Sequence, residues 1–137
     1  MLKAVDDYAS WLQKSSEDEQ SARILLEKGG IPNTICFLTQ QMAEKLLKAV
    51  LVFEGIEFQK MHDLLALENS LRGPHDDIEH IHNDLIMLNR YYITTRYPGN
   101  YPTFSLPEAQ EAYQAALRVK RFVMGIIPKK EEFYEQP

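Results

Sequence analysis

One cysteine, Cys36, is all the thiol in this 137-residue chain, so no internal disulfide can brace it. No apolar run reaches the roughly 18 residues that a membrane-spanning helix needs. The opening Met-Leu-Lys-Ala-Val-Asp-Asp lacks the charged-then-apolar order of a secretory signal. These absences lead to the expectation of a cytoplasmic protein with no membrane partner. Basic excess is missing too: 15 Lys and Arg stand against 20 Asp and Glu, a net charge of -5. Broad binding to a phosphate backbone usually needs a basic surface, so contact with nucleic acid would have to come from a local pocket or from a surface built by two copies. There is no glycine-rich phosphate loop leading into Lys and Ser, and no serine-nucleophile elbow. No segment alternates as a strand does over a useful length. No cofactor is expected.

What the chain does have is helical periodicity, with 45% hydrophobic residues, enough for one core. The most apolar stretch runs from Thr34 to Glu54. Ile35, Leu38, Met42, Leu46, Ala49 and Phe53 share one face, and Phe37, Ala43, Leu47, Val50 and Leu51 widen it. A helix apolar over most of its girth belongs in the middle of a bundle. Gln40, Gln41, Glu44, Lys45 and Lys48 interrupt it at mid-length, which is where function is sought first.

Around that helix the chain reads in order. A first helix covers about Ala4 to Lys28, with Ser15 and Asp18 set into its apolar stripe, and Gly29-Gly30 closes it. Asn33 is the expected N-cap of the second helix. Ile56 to Met61 is a short, poorly ordered connection. A short third helix starts near His62-Asp63 and stops at Arg72-Gly73. The fourth begins at Pro74 and places Ile78, Ile81, Leu85, Leu88 and Tyr92 inward. Prolines and a glycine then make a loop from Thr94 to Pro102. Ser105 with Glu108 forms a capping box for a fifth helix whose alanines allow close approach. The expected fold is all-α: an up-and-down bundle of four long helices and one short one. One domain spans 1–128, followed by a charged tail, 129–137.

Several segments together resemble the HEPN family of small helical-bundle domains. They are Trp11 to Gly29 with Asp18 and Leu25-Leu26, the run Gln40-Gln41-Met42-Ala43-Glu44-Lys45-Leu46-Leu47-Lys48-Ala49, His62-Asp63-Leu64, and Arg96-Tyr97-Pro98. The likeness extends over about residues 8 to 127. It implies a homodimer. It also implies a non-catalytic binding or regulatory partner of a nucleotidyltransferase, in a toxin–antitoxin-like pair, with nucleotide or RNA phosphate as the ligand. Ribonucleases of this family pair an arginine with a histidine after four to six residues. Here Arg96 is followed by no histidine, since His82 is the last, and the fifth residue on is Tyr101. Tyrosine ordinarily titrates near pH 10 and makes a poor base, whereas histidine exchanges protons near neutrality. A metal-independent ribonuclease using Arg96 and Tyr101 is the alternative.

Three sets of residues carry the site expectations. Arg96, Lys45, Gln41 and Tyr97 form the expected phosphate site, Arg96 offering a bidentate grip. Its rival reading is a cation favoured at a helix end, beside an aromatic cluster packed for structure. Asp18 and Lys45 form the expected structural pair. His75, Glu79 and His82 share one face and have the residue types of a transition-metal site. The favoured reading of these three is a solvated first turn, because no second ligand segment is evident.

Overall fold

The computed structural model describes residues 7–94 and 102–128. Helices α1 (Tyr8–Glu27), α2 (Pro32–Phe53), α3 (Leu64–Arg72), α4 (His82–Asn89), α5 (Tyr91–Thr94) and α6 (Leu106–Ile126) follow one another, with a 3-10 helix, Asp76–Ile81, before α4. The chain is an all-α up-and-down bundle. Among the described residues there is no strand, and no helix is long and apolar enough to cross a membrane.

α2 occupies the centre and touches every other α-helix. Its buried set, including Ile35, Met42, Ala43, Leu46, Leu47, Ala49, Val50 and Leu51, covers most of its girth, so water has no side from which to compete. Gly29 closes α1 in the left-handed region at φ 67°, a conformation only glycine takes without strain. Ser105 caps α6 by accepting from the Glu108 N–H at 3.1 Å. The alanines Ala109, Ala112, Ala115 and Ala116 are fully buried, letting α6 lie close against α2.

Four sequence expectations change. Asp7, not a residue before Ala4, caps α1 by accepting from the Ala9 N–H at 2.9 Å. Ile31 stands at the N-cap of α2 with Pro32 in its first turn. Asn33 instead reaches across the bundle, donating to the Pro102 carbonyl and accepting from the Phe104 N–H, both at 2.9 Å. The 56–61 connection packs down, with Ile56, Phe58 and Met61 against the core. The fourth long helix is segmented: Asn89 turns its amide to α3, accepting from the Leu64 N–H at 2.8 Å and donating to Asp63 at 3.1 Å. The phase shifts at that break, and Tyr91 rather than Tyr92 enters the core.

Candidate functional site

The segment carrying Arg96, Tyr97 and Tyr101, expected to be a loop, lies outside the described residues; its two flanks lie within them. On one flank Tyr91 is fully buried, stands edge-on to Phe104 at 5.1 Å and donates to Glu108 at 2.8 Å. Burial, helped by that carboxylate, holds its phenol well above the ordinary value. On the other, Asn33 pins residues 102 and 104 to α2. A cleft of about 480 Å³ opens beside these anchors, lined by Met87, Arg90, Ser105, Pro107, Glu108 and Glu111. Two carboxylates against one guanidinium make that lining a poor match for phosphate.

The polar middle of α2 divides in two. On the α1 side, Lys45 donates to Asp18 at 2.8 Å, with 20% and 15% of the two side chains exposed. Burial, the largest influence, lifts the Asp18 carboxyl above its ordinary value although Lys45 pulls it down. Gln41 is half-buried one turn earlier. Thus the structure brings Asp18 and Lys45 together, and Lys45 already has an anion.

Lys48, three residues after Lys45, turns the other way. It donates to Glu44 Oε2 at 2.8 Å and lies 5.4 Å and 5.9 Å from the ring centroids of Trp11 and Phe58, a cation held between two aromatic faces. The same Glu44 oxygen lies 2.9 Å from His62 Nδ1. Gln40 Nε2 donates to Glu44 Oε1 and to the His62 carbonyl, both at 3.3 Å. A carboxylate already accepting from an ammonium has only acceptor sites to offer, so Nδ1 carries a proton, and in the neutral ring Nε2 carries the lone pair. The His62 side chain is 46% exposed, and its ring stacks on Tyr92 at 4.6 Å with planes 15° apart. Phe37 extends the aromatic strip, 6.4 Å beyond Tyr92.

A second polar hub joins α3 to the 3-10 helix and α4. Glu68, nearly fully buried, accepts from Arg72 at 2.6 Å and meets His82 Nδ1 at 2.8 Å. Arg72 also donates to the exposed Glu79 at 2.7 Å, which holds that carboxyl below its ordinary value. His75 pairs with Glu54 at 2.6 Å. His75, Glu79 and His82 therefore point to three different partners. Among the described residues no group of three His, Cys, Asp or Glu side chains is arranged to hold a metal ion. Cys36 is buried within α2, and burial pushes its thiol up to about 12, far from the thiolate form that reacts or ligates.

Fold and polar seam together define a small helical-bundle domain built around one central helix. The model of the HEPN domain matches residues 8–130, and the chain belongs to that family. Two crystal structures are similar to it, each at 29% identity. One is TT1696 from Thermus thermophilus, covering 86% of this chain and 96% of its own with a TM-score of 0.78. The other is ST0689, an archaeal HEPN homologue, covering 88% and 98% with a TM-score of 0.71. No curated protein matches the chain.

Sequence reasoning missed the Glu44–His62–Lys48 cluster as a unit. The signal available was the i, i+4 spacing of Glu44 and Lys48, together with Gln40 one turn before. His62, which the sequence suggests as a cap or a loop-to-core hydrogen bond, comes from a separate segment, and nothing local names Glu44 as its partner.

Proposed function

We propose that this HEPN protein is a homodimer acting as the binding or regulatory partner of a nucleotidyltransferase, in a toxin–antitoxin-like pair. It holds a nucleotide or RNA phosphate through Arg96, with Gln41, Lys45 and Tyr97 beside it. The observation behind this reading is the family match over residues 8–130, which runs through the Arg96-Tyr97-Pro98 segment, combined with a sequence that has no histidine beyond His82. Arg96 supplies a charge and a fork of donors suited to phosphate, but the proton-exchanging residue expected four to six positions on is missing. Lys45 is already bonded to Asp18, so a phosphate would share or displace that anion, and Arg96 carries the larger share of binding.

The test uses the full chain with ATP and a short fluorescent oligoadenylate RNA. Size-exclusion chromatography with light scattering should return twice the chain mass. Both probes should bind, and Arg96→Ala should weaken binding about tenfold, the loss of one charge-assisted contact. The RNA should remain intact across a broad pH range. Co-expression with the product of the adjacent gene should yield a complex containing a nucleotidyltransferase. A monomer that binds neither probe and brings down no such partner would remove this reading; metal-free cleavage of the RNA would replace it with the ribonuclease.

A further inference from the structure

His62 departs from an ordinary core histidine in three ways. Its Nδ1 is committed to a carboxylate that is almost fully buried, with 8% of the Glu44 side chain exposed. That carboxylate is itself fixed by Lys48 and by the Gln40 amide. The imidazole nonetheless sits at the surface, and its Nε2 has no partner among the described residues. Four groups thus hold one ring in one tautomer and one orientation: Glu44 through Nδ1, Gln40 through the backbone carbonyl, Tyr92 through its face, and Lys48 through Glu44. Lys48 balances the Glu44 charge, so when the ring is neutral its outward lone pair has no net local anion behind it. A lone pair fixed in this way is a hydrogen-bond acceptor, and it selects a donor on whatever binds. Tyr92 and Phe37 continue the aromatic surface beside the ring.

We propose that His62, set by Glu44, is a hydroxyl-recognising subsite: Nε2 accepts a hydrogen bond from a sugar hydroxyl of a nucleoside-class ligand lying along the His62–Tyr92–Phe37 strip. The inference rests on the nucleotide-binding reading above and names the group that would tell a ribose from a sugar lacking hydroxyls. A site that pairs a ligand hydroxyl discriminates against the analogue without it by the net worth of that hydrogen bond.

The experiment measures dissociation constants of the full chain for ATP and 2′,3′-dideoxy-ATP, and for matched short oligoadenylate and oligodeoxyadenylate. The hydroxyl-bearing member of at least one pair should bind about tenfold more tightly, the worth of one hydrogen bond at a partly buried acceptor. His62→Ala should erase that ratio and leave the weaker member's binding unchanged. His62→Gln, which keeps an acceptor at similar reach, should restore part of it. The side chain is half exposed, so these variants should fold, and a thermal melt verifies it. Nitrogen-15 spectra of the imidazole should show a protonated Nδ1 and a bare Nε2 in the wild type, and a mixture in Glu44→Gln.

Probes that bind with no ratio in the wild type, or with a ratio that survives His62→Ala, overturn this subsite and leave the phosphate reading standing. A proton found on Nε2 in the neutral ring overturns it as well. Probes that do not bind at all overturn the phosphate reading, and the subsite falls with it.

Discussion

Glu44 and Lys45 are neighbours in sequence and opposite in charge, yet neither is the other's partner. Successive residues of an α-helix point about 100° apart, so each side chain leaves α2 toward a different wall of the bundle. Glu44 turns toward the segment before α3 and gathers Lys48, His62 and Gln40. Lys45 turns toward α1 and finds Asp18. The Glu44–Lys48 pair is nearly closed to water and the Lys45–Asp18 pair is open at its rim. One helix therefore carries a deep polar network and a marginal ion pair side by side, and the two should respond differently to the loss of one member. A buried charge stripped of its partner keeps its desolvation cost, whereas a rim charge recovers water.

The largest effect is expected from Lys48→Met, which keeps an unbranched stem between Trp11 and Phe58 and removes only the ammonium. Glu44 would then rely on His62 and Gln40, and urea unfolding should show a loss of about 3–5 kcal/mol. Replacing Glu44 as well, in a Glu44→Met/Lys48→Met double variant, should recover much of that loss, because apolar groups of similar volume pack where two ions were. A single-variant loss below about 1 kcal/mol would place this pair with surface ion pairs and dissolve the contrast with Lys45.

A smaller effect, with a distinctive pH dependence, is expected at the rim. Asp18→Asn should cost about 1 kcal/mol or less at neutral pH. Burial raises the Asp18 carboxyl above its ordinary value despite Lys45, so the folded state holds this proton more tightly than the unfolded chain does. The contribution of Asp18 is therefore greatest in acid and is lost as pH climbs through the ordinary carboxylate range to the raised value. Asparagine has no proton to lose. The stability of the wild type relative to Asp18→Asn should accordingly be highest at the acid end and fall as pH rises, in urea midpoints taken across that window. A difference that grows with pH would mean that the attraction of Lys45 outweighs the desolvation of Asp18.

What the sequence disclosed and what it withheld divide along the same line as these two clusters. Features written in a few consecutive residues were legible: the glycine stop after α1, the Ser105 cap, the apolar girth of α2, the alanine face of α6. Asp18 and Lys45 could be paired because each interrupts an apolar stripe on adjoining helices. The deep cluster was not legible, since it needs the chain to bring residue 62 back over residues 40–48 after a connection that carries no periodicity. Spacing along a helix does not say which wall Lys45 and Lys48 each meet. Asn33 looked like a local cap, but its amide serves a loop far along the chain, at residues 102 and 104. Tyr92 looked inward because a continuous helix was assumed, and the helix is interrupted at Arg90, whose N–H turns to the Met87 carbonyl. Arg96 was legible only through the family resemblance.

Arg72 repeats the contrast between deep and rim charges within a single side chain. One arm donates to Glu68, whose side chain is 3% exposed, and the other to Glu79, which is 64% exposed. The two carboxylates are bound at nearly the same distance by the same cation, so geometry alone would weigh them equally. Solvent does not: Glu79 released from Arg72 is rehydrated at once, while Glu68 released from Arg72 keeps, among the described residues, His82. Arg72 holds Glu79 below its ordinary value, a depressed carboxyl whose contribution is present above its unfolded value and fades as pH falls through the folded one. Water screens that contribution almost entirely. Glu79→Gln should therefore leave the melting temperature at neutral pH where it was. Glu68→Gln should lower it clearly, because an imidazole and a guanidinium lose the carboxylate they share. Equal shifts from the two substitutions would show that the guanidinium itself, and not the burial of its partner, sets the strength of these contacts.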